Sequence, residues 1–326
     1  MHRMTRNSMP LGFLGNTNIA YSLPTALFLL LFFIGMTTAV DWKFSVDLKV
    51  LQDVIAIYPF TDEPLLALAD NSAIIWLALQ APNFIDTNIL LKLIYVVAFI
   101  FKTILLLRYF GVIPAISFTL LFFFAIDLNQ ARLSLAISLL LVAWSCSTSG
   151  KLFFSLLLVT AGIVCHYPGA IVIAFFYLIA RNKAISIYIF AGLLVSSIVI
   201  FADPDSPALR YLAYFDTTGN DGVAMFFMVT ALIVCMYWWR LSTLQRFVSV
   251  AATAMSFATR DLVNLSGRVS ELVAIFVLLC AFTFNQRIRK ERLIRSEIIL
   301  LIGIAFFSYR FTQWVIMGGV PIPSNL

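Results

Sequence analysis

Apolar residues run along this chain in long blocks broken by short polar or charged interruptions. The blocks are apolar all round, whereas a helix of a soluble protein carries a single apolar stripe. Read as helices, they fall at about 20–40, 88–108, 111–127, 131–147, 152–165, 167–180, 184–202, 222–239, 245–258, 269–285 and 297–315. A bilayer span needs about 20 apolar residues, so the pattern predicts an all-α, polytopic transmembrane helix bundle of about 10–12 helices, eleven favoured. The first block follows a tail carrying Arg3 and Arg6. It is long, and Asp41-Trp42 offers no clear cleavage site, so an uncleaved first helix is expected. No internal repeat is visible, which gives no support to an inverted-repeat transporter.

Charge orients the bundle. With the N-terminus in the cytoplasm, the inner loops carry Arg3, Arg6, Arg108, Lys151, Arg181, Lys183, Arg240, Arg246 and the run Arg287, Arg289, Lys290, Arg292, Arg295. The reverse orientation would place every basic cluster outside, against the positive-inside rule. Two outer loops are then long. Residues 41–87 contain Glu63-Pro64 and LLALADNSAIIWLALQ, whose spacing fits an amphipathic helix lying along the interface. Residues 203–221 are rich in Asp and Pro and include the turn-like TTGNDG.

Composition sharpens this picture. Of 326 residues, 62% are apolar and 12% charged, too few polar groups to cover a soluble core of this size. Residues 1–326 are therefore expected to form a single membrane-embedded domain. The net charge of +6 lies in loop clusters rather than on one exposed face, so nucleic acid is not an expected partner. Cys146, Cys165, Cys235 and Cys280 sit in or beside apolar blocks and read as small buried hydrophobes. No carboxylate pair or second membrane histidine supplies a metal site, and no cofactor is implied.

Candidate chemistry collects at one depth. Blocks 152–165 and 167–180 are short for a span, and Cys165-His166-Tyr167-Pro168-Gly169 lies between them. Blocks 111–127 and 131–147 meet at Asp127-Leu128-Asn129-Gln130-Ala131-Arg132. Helices this short tilt, thin the bilayer or stop below its surface, which would put their polar tips in a recess reached from outside. Asp127, Arg132, His166, Arg260, Asp261, Arg268, Glu271 and Arg310 all fall in the outer half. Ionisable groups at membrane depth are costly and are kept where they pair or line a polar cavity. Arginine's planar fork suits phosphate or diphosphate oxygens. His166 would serve as general base toward a hydroxyl, and Asp127, Asp261 or Glu271 could do the same. Plainer roles stand beside these. Arg268 and Glu271, three apart, form an ion pair on one helix face; His166 is a hydrogen-bonded residue at a helix break; Asp127 and Arg132 are interfacial charges. Lys92 and Lys102 are expected to snorkel toward opposite interfaces.

The stretch FAIDLNQARLSLAISLLLVAWSCSTSGKLFFSLLLVTAGIVCHYPGAIVIAFFYLIA resembles the EpsG-like members of the Wzy type of polysaccharide polymerases. In those proteins an Asn-x-x-Arg element opens an apolar helix, a short basic turn follows, and the next helix ends in a single His. Here these positions are Asn129, Arg132, Lys151 and His166; Glu63-Pro64 and Arg268 also look similar. The likeness covers roughly 55–180 well. Leu133 stands where a Gln often follows the family's Arg, and Tyr167 where a small residue is commoner. The resemblance implies a bacterial inner-membrane glycosyltransferase acting on undecaprenyl-diphosphate-linked oligosaccharide repeat units outside the cytoplasm. A chain-length regulator and a flippase would be its partners. It further implies His166 as base, with Asp127 and Glu271 as alternatives, and Arg132, Arg268, Arg260 and Arg310 on the diphosphate. A flippase or transporter, a ligase of the same donors, a sugar acyltransferase and a non-catalytic export subunit are the competing readings.

Overall fold

The computed structural model describes residues 19–40, 52, 86–127, 130–148, 150–166, 230–236, 271–279 and 292–312, with scattered positions from 238 to 254. Among these every regular element is helical, so the described part is all-α. The elements are α1 (Ile19–Val40), α2 (Thr87–Phe110), α3 (Val112–Phe122), a π-helical turn (Phe123–Asp127), α4 (Ala131–Thr148), α5 (Leu152–Cys165) and α6 (Arg292–Phe311). Residues 230–236 and 271–279 are also helical. Helix Ile89–Phe110, within α2, is the one described helix long and apolar enough to cross a membrane. Both long loops, 41–87 and 203–221, lie outside the described residues apart from Gln52, Asp86 and the first residue of α2, as do the expected helices 167–180 and 184–202.

Sequence explains where these helices turn. Asp86 precedes α2, and its carbonyl accepts the Leu90 N–H at 2.9 Å. Gly111, at φ +97°, ends α2; its N–H reaches the carbonyls of Leu106 and Leu107 at 3.3 and 3.1 Å, and α3 starts at the next residue. Only glycine takes that backbone without strain. Pro114 sits in the first turn of α3, where a missing N–H costs no intrahelical bond. The block expected as one helix over 111–127 instead opens into the π turn at Phe123. Periodicity cannot see this, because the extra residue per turn leaves the run apolar. The last helix starts at Arg292 rather than 297, since Arg, Leu and Ile extend a helix beyond its apolar block.

Packing follows. α5 lies chiefly on α4, α6 on α3, and α2 against both α1 and α4. Ser155 donates to the Ala143 carbonyl at 2.8 Å and sets the α4–α5 register. Gly303 lets α6 close on α3: a Cβ there would lie 3.3 Å from the Leu120 Cβ and the Ser117 carbonyl. Phenylalanines tie α1, α2, the π turn and α6 together. Phe33 stacks on Phe99 at 4.3 Å, Phe124 on Phe307 at 5.3 Å, and Phe32 meets Phe123 edge-on. Outward faces are apolar too: Leu23, Leu27, Phe28 and Leu31 of α1 and Phe153, Phe154 and Leu157 of α5 are exposed. Hydroxyls in these helices bond backward to their own backbone, as Thr37 does to Phe33 and Thr119 to Ala115. Cys165 is buried as expected, but Cys235 is exposed.

Candidate functional site

The polar residues converge where the π turn passes into α4. Asp127 closes the π turn, and the Gln130 N–H, bonded to the Ile126 carbonyl at 2.6 Å, carries the chain into α4. Around this junction lie Lys102 from α2, Ser134 from α4, Glu271 from the helical segment 271–279 and Arg310 from α6.

Lys102 corrects the sequence expectation. It does not reach an interface; it is 0% exposed, and its ammonium donates to Asp127 Oδ1 in a fully buried ion pair. Its Nζ also lies 5.4 Å from the Phe99 ring centre and 5.2 Å from that of Phe118, within cation–π range. The reason is depth. Lys102 is eight residues from the end of α2, about 12 Å along the axis, further than a lysine stem carries its charge. Asp127 is equally not an interfacial charge: it is buried at 1% exposure. Ser134 Oγ also donates to Oδ1 at 3.4 Å, while Oδ2 is left without a hydrogen-bond partner among the described residues.

Glu271 is held by Gln130, whose Nε2 donates to both carboxylate oxygens at 2.9 Å. Arg310, half-buried with its guanidinium 5.9 Å from the Phe306 ring centre, lies within electrostatic range of that carboxylate. Arg132 is on the first turn of α4, half-buried and engaged by its neighbours. His166 ends α5 in an extended conformation, its N–H bonded to the Gly162 carbonyl at 3.1 Å. The Ser155–Ala143 bond sets its height. His166 lies eleven residues beyond Ser155 and Arg132 eleven before Ala143, so antiparallel α5 brings His166 level with Arg132.

Asp127, Glu271 and Arg310 are thus tied to the π turn and the start of α4 through Lys102, Gln130 and their charges. Arg132 lies on the first turn of α4, and the α4–α5 register brings His166 level with it. Arg260, Asp261 and Arg268 lie outside the described residues, and with them the Arg268–Glu271 pair; so do Asn129 and Glu63-Pro64. Sequence reading missed Lys102 and Ser134 and noted Gln130 only by its place before Arg132. A lysine more than two turns inside an apolar helix was the legible signal for a buried partner. Among the described residues Lys102 is matched by Asp127, while the cations Arg132 and Arg310 stand against the single carboxylate of Glu271, and the N-terminus of α4 adds backbone N–H groups that also favour an anion. No family model matches the chain, and neither does any curated protein or solved structure.

Proposed function

We propose that this chain is a multi-pass protein of the bacterial inner membrane that polymerises undecaprenyl-diphosphate-linked oligosaccharide repeat units. The observation that carries the reading is the gathering of Arg132, Glu271 and Arg310, from three separate helices, at the start of α4, with His166 brought level with Arg132 by the α4–α5 register. Groups this costly in an apolar bundle are kept for a polar ligand or for each other, and the excess cation favours an anionic one. The resemblance over 55–180 supplies the chemical class.

In the proposed step a sugar hydroxyl of the incoming repeat attacks the anomeric carbon of the growing chain. The new glycosidic C–O bond forms as the bond to diphosphate breaks, and undecaprenyl diphosphate leaves with the electron pair. The hydroxyl proton passes to a base, His166 first, with the carboxylates of Asp127 and Glu271 as the alternatives. Arg132 and Arg310, with Arg268 and Arg260, take the charge growing on the diphosphate. Gln130 keeps Glu271 oriented, and Glu271 in turn holds Arg310 by its charge.

The test is polysaccharide length in cells lacking this gene, complemented at matched membrane levels. Deletion should leave single repeat units; wild type should restore long chains; Arg132→Ala and His166→Ala should not. A normal ladder from both variants discards the site, and an unchanged ladder after deletion discards the reading.

A further inference from the structure

Asp127 is fully buried, yet it is held on one side only. Oδ1 takes two donors, the Lys102 ammonium and the Ser134 hydroxyl. Oδ2 is as buried as Oδ1 and takes none among the described residues. A buried, charged acceptor left open is expensive, and native structures rarely keep one without a use. The backbone beneath it is unusual too. Asp127 ends a π turn, an expensive departure from α geometry that recurs at functional sites. Three residues on, Gln130 begins the polar group around Glu271 and Arg310.

We infer that Asp127 Oδ2 accepts a hydrogen bond from a hydroxyl of the lipid-linked sugar, and that Lys102 is the positioning residue that aims it. The inference rests on the polymerase reading and deepens it, by naming the group that tells a sugar-bearing lipid from a bare one. Lys102 is suited to aiming. It comes from α2, is fully buried beside the Phe99 and Phe118 rings, and engages Oδ1 alone, so it fixes one oxygen of Asp127 and leaves the other unbonded among the described residues. A hydroxyl bonded to Oδ2 completes the carboxylate, and a charged hydrogen bond in a buried site is worth about tenfold to a hundredfold in affinity.

The experiment uses the full chain in lipid nanodiscs and two probes: a polyprenyl diphosphate carrying a disaccharide, and the same polyprenyl diphosphate bare. Wild type should bind the sugar-bearing probe about tenfold or more tightly than the bare one. K102Q/D127N keeps an amide pair without charge, and K102M/D127L replaces the pair by apolar groups of similar size, an exchange buried pairs often tolerate. Both should keep the affinity for the bare probe and lose the sugar preference. A preference equal to wild type in either variant overturns the inference while leaving the polymerase reading intact. Failure of both variants to fold assigns the pair to folding alone and overturns it as well. If wild type binds neither probe, the polymerase reading falls and takes this inference with it.

Discussion

Taking the Lys102 ammonium out of water costs several kcal/mol, and Asp127 is the group that offsets it. Removing one partner leaves the other charge buried alone. Lys102→Met should therefore destabilise the protein by about 3–5 kcal/mol, whereas the paired change K102M/D127L should return it close to wild type. Thermal unfolding in detergent separates the two outcomes, and equal losses in both would contradict the pairing. Gln130 has a milder version of the same duty. Gln130→Leu strips Glu271 of two bonds and should cost about 1–3 kcal/mol. At this scale sequence was a partial guide. Asp127, Glu271 and Arg310 stand out as charges in apolar runs, and each lies in the buried or half-buried polar group. Lys102 stands out just as clearly, but a lysine's long stem permits a snorkelling reading that only its depth refutes. Gln130 and Ser134 carry no charge and give no signal of their own.

At the scale of elements, close approach is the device that decides stability. Gly303 sits where a side chain would press on Leu120 and the Ser117 backbone of α3. Gly303→Leu should force α6 off α3 and cost about 1–3 kcal/mol, with Gly303→Ala costing less because only one carbon must be absorbed. Matched membrane levels and unfolding temperatures for the two variants check the order. Ser155→Ala removes the bond that registers α5 on α4, and a loss of about 0.5–1.5 kcal/mol is expected. The same loss of register should disturb His166, which depends on α5 for its height beside Arg132. Blocks of apolar residues located α1, α2, α4 and α5 to within one or two residues, because glycines and charges punctuate them. They missed the π turn and the early start of α6, since neither changes which residues are apolar.

At the scale of the whole molecule, the proposed multi-pass reading turns on which side of a membrane each loop would face. Asp86 and Lys151 are both exposed and, on the orientation set by the basic loops, face opposite sides. In a background with the four native cysteines replaced by alanine, Asp86→Cys should react with an impermeant maleimide in intact spheroplasts. Lys151→Cys should react only after permeabilisation, and the reverse pattern would overturn the orientation. The all-helical character of the described residues was legible from the long apolar blocks, whereas the count of eleven membrane spans goes beyond the one described helix long and apolar enough to cross a bilayer. The proposed function rests on a likeness in 55–180 and on the polar group at the start of α4, of which the sequence showed the charged members.

Polymerisation itself is the central claim, and reconstitution tests it most directly. Purified chain in proteoliposomes, supplied with a lipid-linked repeat unit whose sugars lie on the outer-equivalent face, should make a ladder of longer chains. Each linkage should release one undecaprenyl diphosphate, and His166→Ala or Arg132→Ala should abolish both. Movement of the lipid-linked unit between leaflets with no ladder and no released lipid diphosphate would contradict the account and make the chain a carrier instead.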